Sequence, residues 1–210
     1  MELNTLIAYF AVGAAGYLVG AIPFGLLIAR LHGVDIRRVG SGNIGATNVF
    51  RSIGKGWGIL TFACDALKGF LAVLIFPMVA MRLIGENVPA TTGMALFCAT
   101  FAVIGHNWPI YLRFKGGKGV ATSAGALLAL APSVIGVGLL IWLLVFAITR
   151  YVSVASIAAT IAAVGAGWFL TDRPIALLLT VLGAVIVWRH KSNLQRLRAG
   201  TELRFQFRKT

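Results

Sequence analysis

The stretch VATSAGALLALAPSVIGVGLLIWLLVFAIT, Val120 to Thr149, decides how many apolar helices this chain is expected to form. It carries no charged side chain, and it is longer than the ~20 apolar residues that one membrane-spanning helix needs. Pro132 lies inside it, and a proline within a helix removes a backbone hydrogen bond and clashes with the preceding turn. We therefore expect two short helices that meet at Pro132-Ser133, rather than one long tilted helix.

The composition of the whole chain indicates a membrane protein. Of its 210 residues, 59% are hydrophobic and 12% are charged, and the mean hydropathy is +0.88. A soluble domain of this length cannot hide so much apolar surface from water. Five further apolar runs are expected to span the membrane, at about 5–29, 57–81, 91–110, 152–171 and 174–188. The predicted fold is an all-α integral membrane protein with seven transmembrane helices, forming one polytopic domain over 1–210 with a short basic tail at 189–210.

The basic residues predict the orientation of the chain. Loops on the cytoplasmic side of a membrane carry an excess of Lys and Arg. With seven spans, one side keeps only Arg82 and Arg173. The other side receives Arg30, Arg37, Arg38, Arg51, Lys55, Arg113, Lys115, Lys118, Arg150, Arg189, Lys191, Arg196, Arg198, Arg204, Arg208 and Lys209. We therefore expect the N-terminus outside and the C-terminus in the cytoplasm.

The net charge of +13 lies in the loops and the tail. A soluble nucleic-acid-binding protein spreads its basic residues over one folded face, so that class is not predicted. Anionic lipid headgroups and phosphorylated substrates suit this distribution better. Three polar stretches carry much of the charge, and all three fall on the expected cytoplasmic side: GSGNIGATNVFR at 40–51, GHNWPIYLRFKGGKGVATS at 105–123 and RHKSNLQRLRAGTE at 189–202.

The first stretch matches the spacing of the GxGxxG dinucleotide fingerprint. That fingerprint requires a preceding strand and a following helix in a βαβ unit, and no sheet is expected here. The glycines still let backbone N–H groups surround an anion; the alternative is a glycine-rich turn with surface hydroxyls. The candidate binding residues are Gly40, Ser41, Gly42, Asn43, Gly45, Thr47, Asn48 and Arg51.

The second stretch is not a Walker A loop, because Leu112 stands where its first glycine should be and Gly119 replaces its Ser or Thr. Its glycines and lysines favour a flexible phosphate cradle. The alternative is a loop with solvated lysines, whose charges only reflect the excess of Lys and Arg on the cytoplasmic side. The residues of this candidate cradle are Lys115, Gly116, Gly117, Lys118 and Gly119, preceded by His106 and Asn107 at the end of a span.

The third stretch places His190, Asn193 and Arg196 on one face if it is helical; the alternative is an interfacial helix that binds anionic lipid. Asp65 and Lys68 lie within a predicted span. Ionisable residues are costly there and are functional candidates by default. Their i, i+3 spacing lets them pair with each other, so we expect a structural role.

Together these stretches resemble a known family, the acyl-phosphate-dependent glycerol-3-phosphate acyltransferases of bacterial membranes. The resemblance covers nearly the whole chain: its length, its seven expected spans and the order of the three stretches. DALKG at 65–69 and IPFG at 22–25 also fit the family.

The resemblance implies transfer of a fatty acyl group from acyl phosphate to the 1-hydroxyl of sn-glycerol 3-phosphate. The products would be lysophosphatidic acid and inorganic phosphate, in the first acylation of phospholipid synthesis. It implies that the residues that bind and orient the substrate phosphates are Ser41, Arg51, Lys115, His190 and Asn193, with Lys118 as the alternative lysine. Further binding residues would be Gly40, Gly42, Asn43, Gly45, Thr47, Asn48, His106, Asn107, Gly116, Gly117, Lys118, Gly119, Arg196 and Glu202. Glu202 is expected to pair with a basic loop residue.

Acyl phosphate is an activated mixed anhydride, so the protein must mainly align the acceptor hydroxyl and neutralise charge. The H-x4-D pair of acyl-CoA and acyl-carrier-protein users is absent, since the fifth residues after the three histidines are Arg37, Tyr111 and Gln195. Either His190 or the substrate phosphate would accept the proton. No metal and no cofactor is expected.

We expect a multi-pass protein of the bacterial cytoplasmic (inner) membrane, with its site at the cytoplasmic face. Expected partners are membrane lipid and a soluble enzyme that makes acyl phosphate, and we expect a monomer that binds no nucleic acid. The competing interpretation is a transporter of a phosphorylated or anionic solute. Transporters, however, bind substrate near the bilayer midplane and often contain repeated halves, whereas these polar groups cluster at one surface.

Overall fold

The computed structural model describes residues 3–85 and 92–205, and the regular structure within these ranges is helical. The helices are α1 (Leu3–Gly20), α2 (Phe24–Leu31), α3 (Ala46–Ser52), α4 (Lys55–Leu83), α5 (Thr92–Asn107), α6 (Val120–Leu130), α7 (Pro132–Thr149), α8 (Val152–Leu170), α9 (Arg173–Arg189) and α10 (Lys191–Arg198). Two short 3₁₀ turns lie at Ile36–Arg38 and Ile110–Leu112. The last part of the predicted basic tail, 206–210, lies outside the described residues.

The break predicted at Pro132 is confirmed. Helix α6 ends at Leu130, and α7 begins at Pro132, which occupies the first turn where a missing N–H costs nothing. The first apolar run also contains a break that the sequence analysis did not predict. Between α1 and α2 the chain leaves the helix around Pro23, and residues 21–23 form a turn within that run.

An all-α integral membrane fold is confirmed. Within the described ranges, five segments are long and apolar enough to cross a membrane: Leu3–Leu31, Lys55–Leu83, Gly93–Leu112, Pro132–Thr149 and Val152–Leu170. Helices α9 and α10, bent by 47° where they join, pass the same test as a pair. Helix α6 has only 11 residues, which reach about 16 Å, against ~30 Å of hydrocarbon. The seventh crossing is therefore not established by helix length.

The chain packs as two compact units, Met1–Leu130 and Ala131–Thr210. In the first unit α4 packs against α1, α3, α5 and α6, and α1 packs against α5. In the second unit α8 packs against both α7 and α9, and α10 follows α9. One polytopic domain over the whole chain stays a prediction.

Glycines let α4 and α6 approach each other closely in the first unit. A Cβ on Gly125 would meet the backbone carbonyl of Ala66, and a Cβ on Gly69 would meet that of Thr122. Such small-residue contacts hold helices together in lipid, where burial of apolar surface supplies little driving force. This packing brings the first turn of α6 against the part of α4 that carries Asp65 and Lys68.

We predict that Gly125→Val destabilises the protein by about 1–3 kcal/mol, because a side chain at this position forces α4 and α6 apart. The matched control is Gly136→Val on α7, where an added Cβ meets no atom within 4 Å. Thermal unfolding of both variants in the same detergent checks the prediction. Equal melting temperatures for the two variants would contradict the proposed close packing.

Candidate functional site

The predicted pair of Asp65 and Lys68 is a buried ion pair on α4. The Lys68 Nζ lies 2.7 Å from the Asp65 Oδ1, and the two side chains are 3% and 4% exposed. The same ammonium donates to the backbone carbonyl of Ile22 at 2.8 Å and lies 3.0 Å from the Nδ1 of His106. An ammonium has three donors and no acceptor. Lys68 therefore has three acceptor atoms within 3.0 Å of its Nζ: an ion-pair partner in Asp65 and hydrogen-bond partners in Ile22 and His106.

These contacts tie three segments of the first unit together. Lys68 belongs to α4, Ile22 to the turn between α1 and α2, and His106 to the end of α5. A buried charge is tolerated only when it is paired and hydrogen-bonded. The energy of the pair therefore depends on all three segments keeping their positions. Neither Ile22 nor Phe24, whose ring centroid lies 5.6 Å from the Lys68 Nζ, was identified as a partner from sequence.

The glycine loop of the second stretch, 116–119, folds back onto the end of α5. The Gly117 N–H donates to the carbonyl of His106 at 3.0 Å, and the Gly116 N–H donates to the carbonyl of Asn107 at 3.2 Å. The ring of His106 lies directly against Gly117, since a Cβ there would overlap its Nε2. Any residue other than glycine at 117 would displace this ring. Of the loop lysines, Lys115 is exposed and Lys118 is half-buried.

Several buried polar atoms gather around the start of α6. The Asn107 amide is fully buried beside Gly119, where an added Cβ would lie 2.9 Å from its Oδ1. Among the described residues, this amide and the hydroxyls of Thr122 and Ser123 have no hydrogen-bond partner. Buried polar groups normally have one, and a helix start carries partial positive charge. This part of the unit is therefore suited to an anionic or polar ligand.

The loop of the first stretch winds around the side chain of Asn48, which is 2% exposed. Its Nδ2 lies 2.9–3.0 Å from the carbonyls of Ile36, Val39 and Asn43, and its Oδ1 accepts from the Ser41 N–H at 2.9 Å. The Asn48 amide therefore holds the loop in shape. Its predicted role in binding substrate stays a prediction, as do the roles of the other loop residues.

The conformation of this loop also depends on glycine. Gly40 and Gly42 have φ of +58° and +69°, which side chains rarely adopt. Gly25, in the first turn of α2 and close in sequence to the Ile22 carbonyl that accepts from Lys68, lies against the loop, since a Cβ there would meet the carbonyl of Ile44. Ser41 is exposed at the loop surface, and Arg51 is half-buried in the last turn of α3. The first two stretches are thus both linked to the contacts of Lys68.

The third stretch is organised around Glu202 in the second unit. The Glu202 Oε1 accepts from the Asn193 Nδ2 at 2.6 Å and from the Ser153 Oγ at 2.8 Å, and its Oε2 accepts from the Arg196 Nε at 2.7 Å. Burial by itself would raise the pKa of Glu202, but hydrogen bonds from Asn193, Ser153 and Arg196 outweigh it and lower that pKa. The basic partner of Glu202 is therefore Arg196, which lies on helix α10 and not in a loop as expected. Ser153 was missed because it lies 49 residues away and belongs to no motif.

His190 lies at the junction of α9 and α10 and is 3% exposed. Its Nδ1 lies 2.7 Å from the backbone carbonyl of Ile186. Since a carbonyl can only accept, this nitrogen carries a proton. Within residues 3–85 and 92–205, no group of three or more His, Cys, Asp or Glu side chains is arranged to hold a metal ion.

Comparison with known proteins gives one consistent match. Residues 10–200 match the family described as glycerol-3-phosphate acyltransferase. The glycerol-3-phosphate acyltransferase of Aquifex aeolicus is 47% identical over 193 residues, which cover 90% of this chain and 95% of the relative. That of Desulforudis audaxviator is 44% identical over 214 residues, which cover 99% and 100%.

Two solved structures of PlsY, described as an integral membrane glycerol 3-phosphate acyltransferase, are also similar. The glycerol 3-phosphate form has a TM-score of 0.82 and 44% identity, and the match covers 95% of this chain and 96% of that one. The lysophosphatidic acid form has a TM-score of 0.81 and 41% identity, covering 94% and 95%.

We predict that Asn48→Asp lowers activity by at least about tenfold, because the carboxylate cannot donate to the carbonyls of Ile36, Val39 and Asn43 and places a charge among them. The matched control is Asn4→Asp, the same change at an exposed position of α1. Initial rates of both variants, at matched amounts of folded protein, check the prediction. Full activity in Asn48→Asp would show that loop shape does not limit catalysis.

A second prediction concerns pH. A carboxylate whose pKa is lower in the folded than in the unfolded state stabilises the fold above its unfolded value, about 4.3, and loses that effect as pH falls through its folded pKa. Glu202→Gln should therefore lower the melting temperature at pH 7 by a few degrees. Each kcal/mol lost from the free energy of unfolding lowers the melting temperature of a protein of this size by about 2–4 °C. The difference from the parent protein should shrink on acidification below about pH 4. A difference that is constant from pH 7 to pH 3 would contradict the ionised state of Glu202.

Proposed function

The chain belongs to the glycerol-3-phosphate acyltransferase family, and from this membership we propose its acyl donor, its site residues and its orientation in the membrane. The protein is an acyltransferase that acylates glycerol 3-phosphate to lysophosphatidic acid, a step of phospholipid synthesis. One observation supports these assignments most strongly: the glycine loop 116–119 lies on His106, beside buried polar atoms and two loop lysines.

The proposed donor is acyl phosphate, and the proposed acceptor atom is the 1-hydroxyl of glycerol 3-phosphate. Attack of that hydroxyl on the acyl carbonyl forms the ester bond and releases inorganic phosphate. Because phosphate is a good leaving group, alignment and charge neutralisation suffice, and no covalent intermediate is needed. The side chains of the three stretches support this choice, since they include lysines and an arginine but no H-x4-D pair. The N–H groups of Gly116 and Gly117 do not add to this set, because they already donate to the carbonyls of Asn107 and His106.

The proposed phosphate-binding residues are Ser41, Arg51, Lys115, His190 and Asn193. The exposure of Ser41 and Lys115 supports this assignment. For the proton of the attacking hydroxyl, two acceptors stay open: His190 and the substrate phosphate. The Nδ1 of His190 donates to Ile186, so its neutral ring keeps a lone pair on Nε2, as a general base requires.

The remaining proposed binding residues are Gly40, Gly42, Asn43, Gly45, Thr47, Asn48, His106, Asn107, Gly116, Gly117, Lys118, Gly119, Arg196 and Glu202. Asn107 has the strongest support, because its buried amide has both donors and an acceptor available for a polar ligand. Asn48 and Glu202 would act through the groups that they hold, the first loop and Asn193 respectively.

We further propose that the enzyme lies in the bacterial inner membrane, with its N-terminus outside and its site at the cytoplasmic face. The bias of Lys and Arg between the two sides supports this orientation. With α6 counted as a crossing, the chain would pass the membrane seven times. We also propose that it acts as a monomer and receives acyl phosphate from a soluble enzyme that makes it.

The donor can be tested with purified protein in lipid vesicles and labelled glycerol 3-phosphate. Long-chain acyl phosphate, acyl-CoA and acyl-carrier protein are supplied in separate reactions. We expect labelled lysophosphatidic acid from acyl phosphate alone. Product from acyl-CoA or acyl-carrier protein at a comparable rate would contradict the proposed donor.

We predict that Arg51→Ala and Lys115→Ala each lower kcat/KM strongly. A charge-assisted hydrogen bond contributes ~1.5–3 kcal/mol, which corresponds to a loss of up to about a hundredfold. The matched control is Arg82→Ala, an exposed arginine at the other end of α4. Steady-state rates with varied acyl phosphate and varied glycerol 3-phosphate check the prediction. Unchanged kinetics in both variants would refute this placement of the phosphate site.

A further inference from the structure

The three histidines of the chain are held in two different ways. The Nδ1 of His32 lies 2.9 Å from the carbonyl of Ile28, and the Nδ1 of His190 lies 2.7 Å from the carbonyl of Ile186. Both rings must therefore carry a proton on Nδ1. His106 differs, because its Nδ1 faces the Nζ of Lys68 at 3.0 Å. The state of that nitrogen depends on which of the two groups holds the proton.

Three observations place the proton on Lys68. Its Nζ is 2.7 Å from the Asp65 Oδ1, so the buried carboxylate is neutralised by an ammonium on the same helix. The carboxylate is farther from the His106 Nδ1, at 3.6 Å. An alkyl amine is also far more basic than imidazole, with reference pKa values of about 10.4 and 6.5. An ammonium cannot accept a hydrogen bond, so the His106 Nδ1 must be the acceptor.

We propose that Lys68 holds His106 as the neutral Nε2–H tautomer, so that His106 is a fixed hydrogen-bond donor at the glycine loop 116–119 and not a base. The ring nitrogen that carries the proton is the one that lies against Gly117. Lys68 is a positioning residue in this arrangement, and Asp65 neutralises its charge. The ligand class that fits the donor is a phosphate oxygen of the substrate bound at this loop.

This assignment separates the roles of His106 and His190. In His106 the Nδ1 lone pair is occupied by Lys68 and Nε2 already carries a proton. The ring can therefore donate to a ligand at Nε2 but cannot accept a proton there. A ring whose Nδ1 donates to a carbonyl keeps its lone pair on Nε2 and can accept. The inference rests on the proposed function only for the identity of the ligand; the tautomer follows from contacts within the first unit.

The tautomer is tested by nitrogen NMR of the full-length protein in lipid nanodiscs, with histidine as the only ¹⁵N-labelled residue. Spectra are recorded without substrate above about pH 7.5, where an ordinary histidine is neutral. We expect one ring with Nε2 protonated and two with Nδ1 protonated, and the first signal should vanish in His106→Gln. An Nδ1-protonated or doubly protonated His106 would overturn the proposal. This result does not depend on turnover, so it stays valid if the acyl phosphate donor proves wrong.

Lys68→Met tests the cause of the tautomer. Without the ammonium, the His106 ring should become a mixture of tautomers or take up a second proton beside Asp65. An unchanged Nε2–H signal in this variant would show that Lys68 does not fix the ring. If the variant does not fold, Lys68→Arg provides the comparison, since a guanidinium also only donates and should preserve the signal.

The donor role is tested by His106→Gln and His106→Met. Glutamine keeps an N–H near the position of Nε2, whereas methionine fills the space without one. With acyl phosphate as the varied substrate, we expect kcat/KM within about fivefold of the parent for Gln and a loss of about ten- to a hundredfold for Met. Equal losses in both variants, or none in either, would overturn the donor role. Melting temperatures of both variants verify that each is folded.

Discussion

The arrangement of the first unit depends on the ammonium of Lys68. It is 3% exposed, and its acceptors come from Asp65 on its own helix, from the turn at Ile22 and from His106. In a membrane protein a charge in this position cannot be left without partners. The turn supports the first polar stretch and His106 supports the glycine loop, so one buried cation holds both substrate-binding candidates in place.

The chemistry of the site is consistent with this construction. A donor that is already activated needs few reactive side chains and a rigid set of hydrogen-bond donors. In the first unit the Asn48 amide fixes the shape of the first loop, and in the second unit the Glu202 carboxylate orients Asn193 and Arg196 by accepting from both. The proposed position of these polar groups at the membrane surface would suit a reaction between the proposed lipid-soluble donor and a water-soluble acceptor.

Local patterns in the sequence predicted local features correctly. The proline in the longest apolar stretch marks a helix break, and the i, i+3 spacing of Asp65 and Lys68 gives an ion pair. The partners of that pair could not be predicted, because Ile22 and His106 lie 46 and 38 residues from Lys68. The split at Pro132 likewise predicted a short helix at α6, but not its close packing against α4 at Gly69 and Gly125. Tertiary packing decides both of these features.

Whether the glycine loop 116–119 binds a substrate phosphate is tested most directly by measuring the approach of that phosphate to the histidine rings. Rotational-echo NMR between ³¹P and ring ¹⁵N would be recorded on the lipid-embedded enzyme with a non-hydrolysable acyl phosphonate bound. We expect dephasing of the protonated Nε2 of His106 and little effect on its Nδ1, which faces Lys68. Absence of dephasing at His106, with the ligand shown to be bound, would contradict the claim that this loop is the phosphate site.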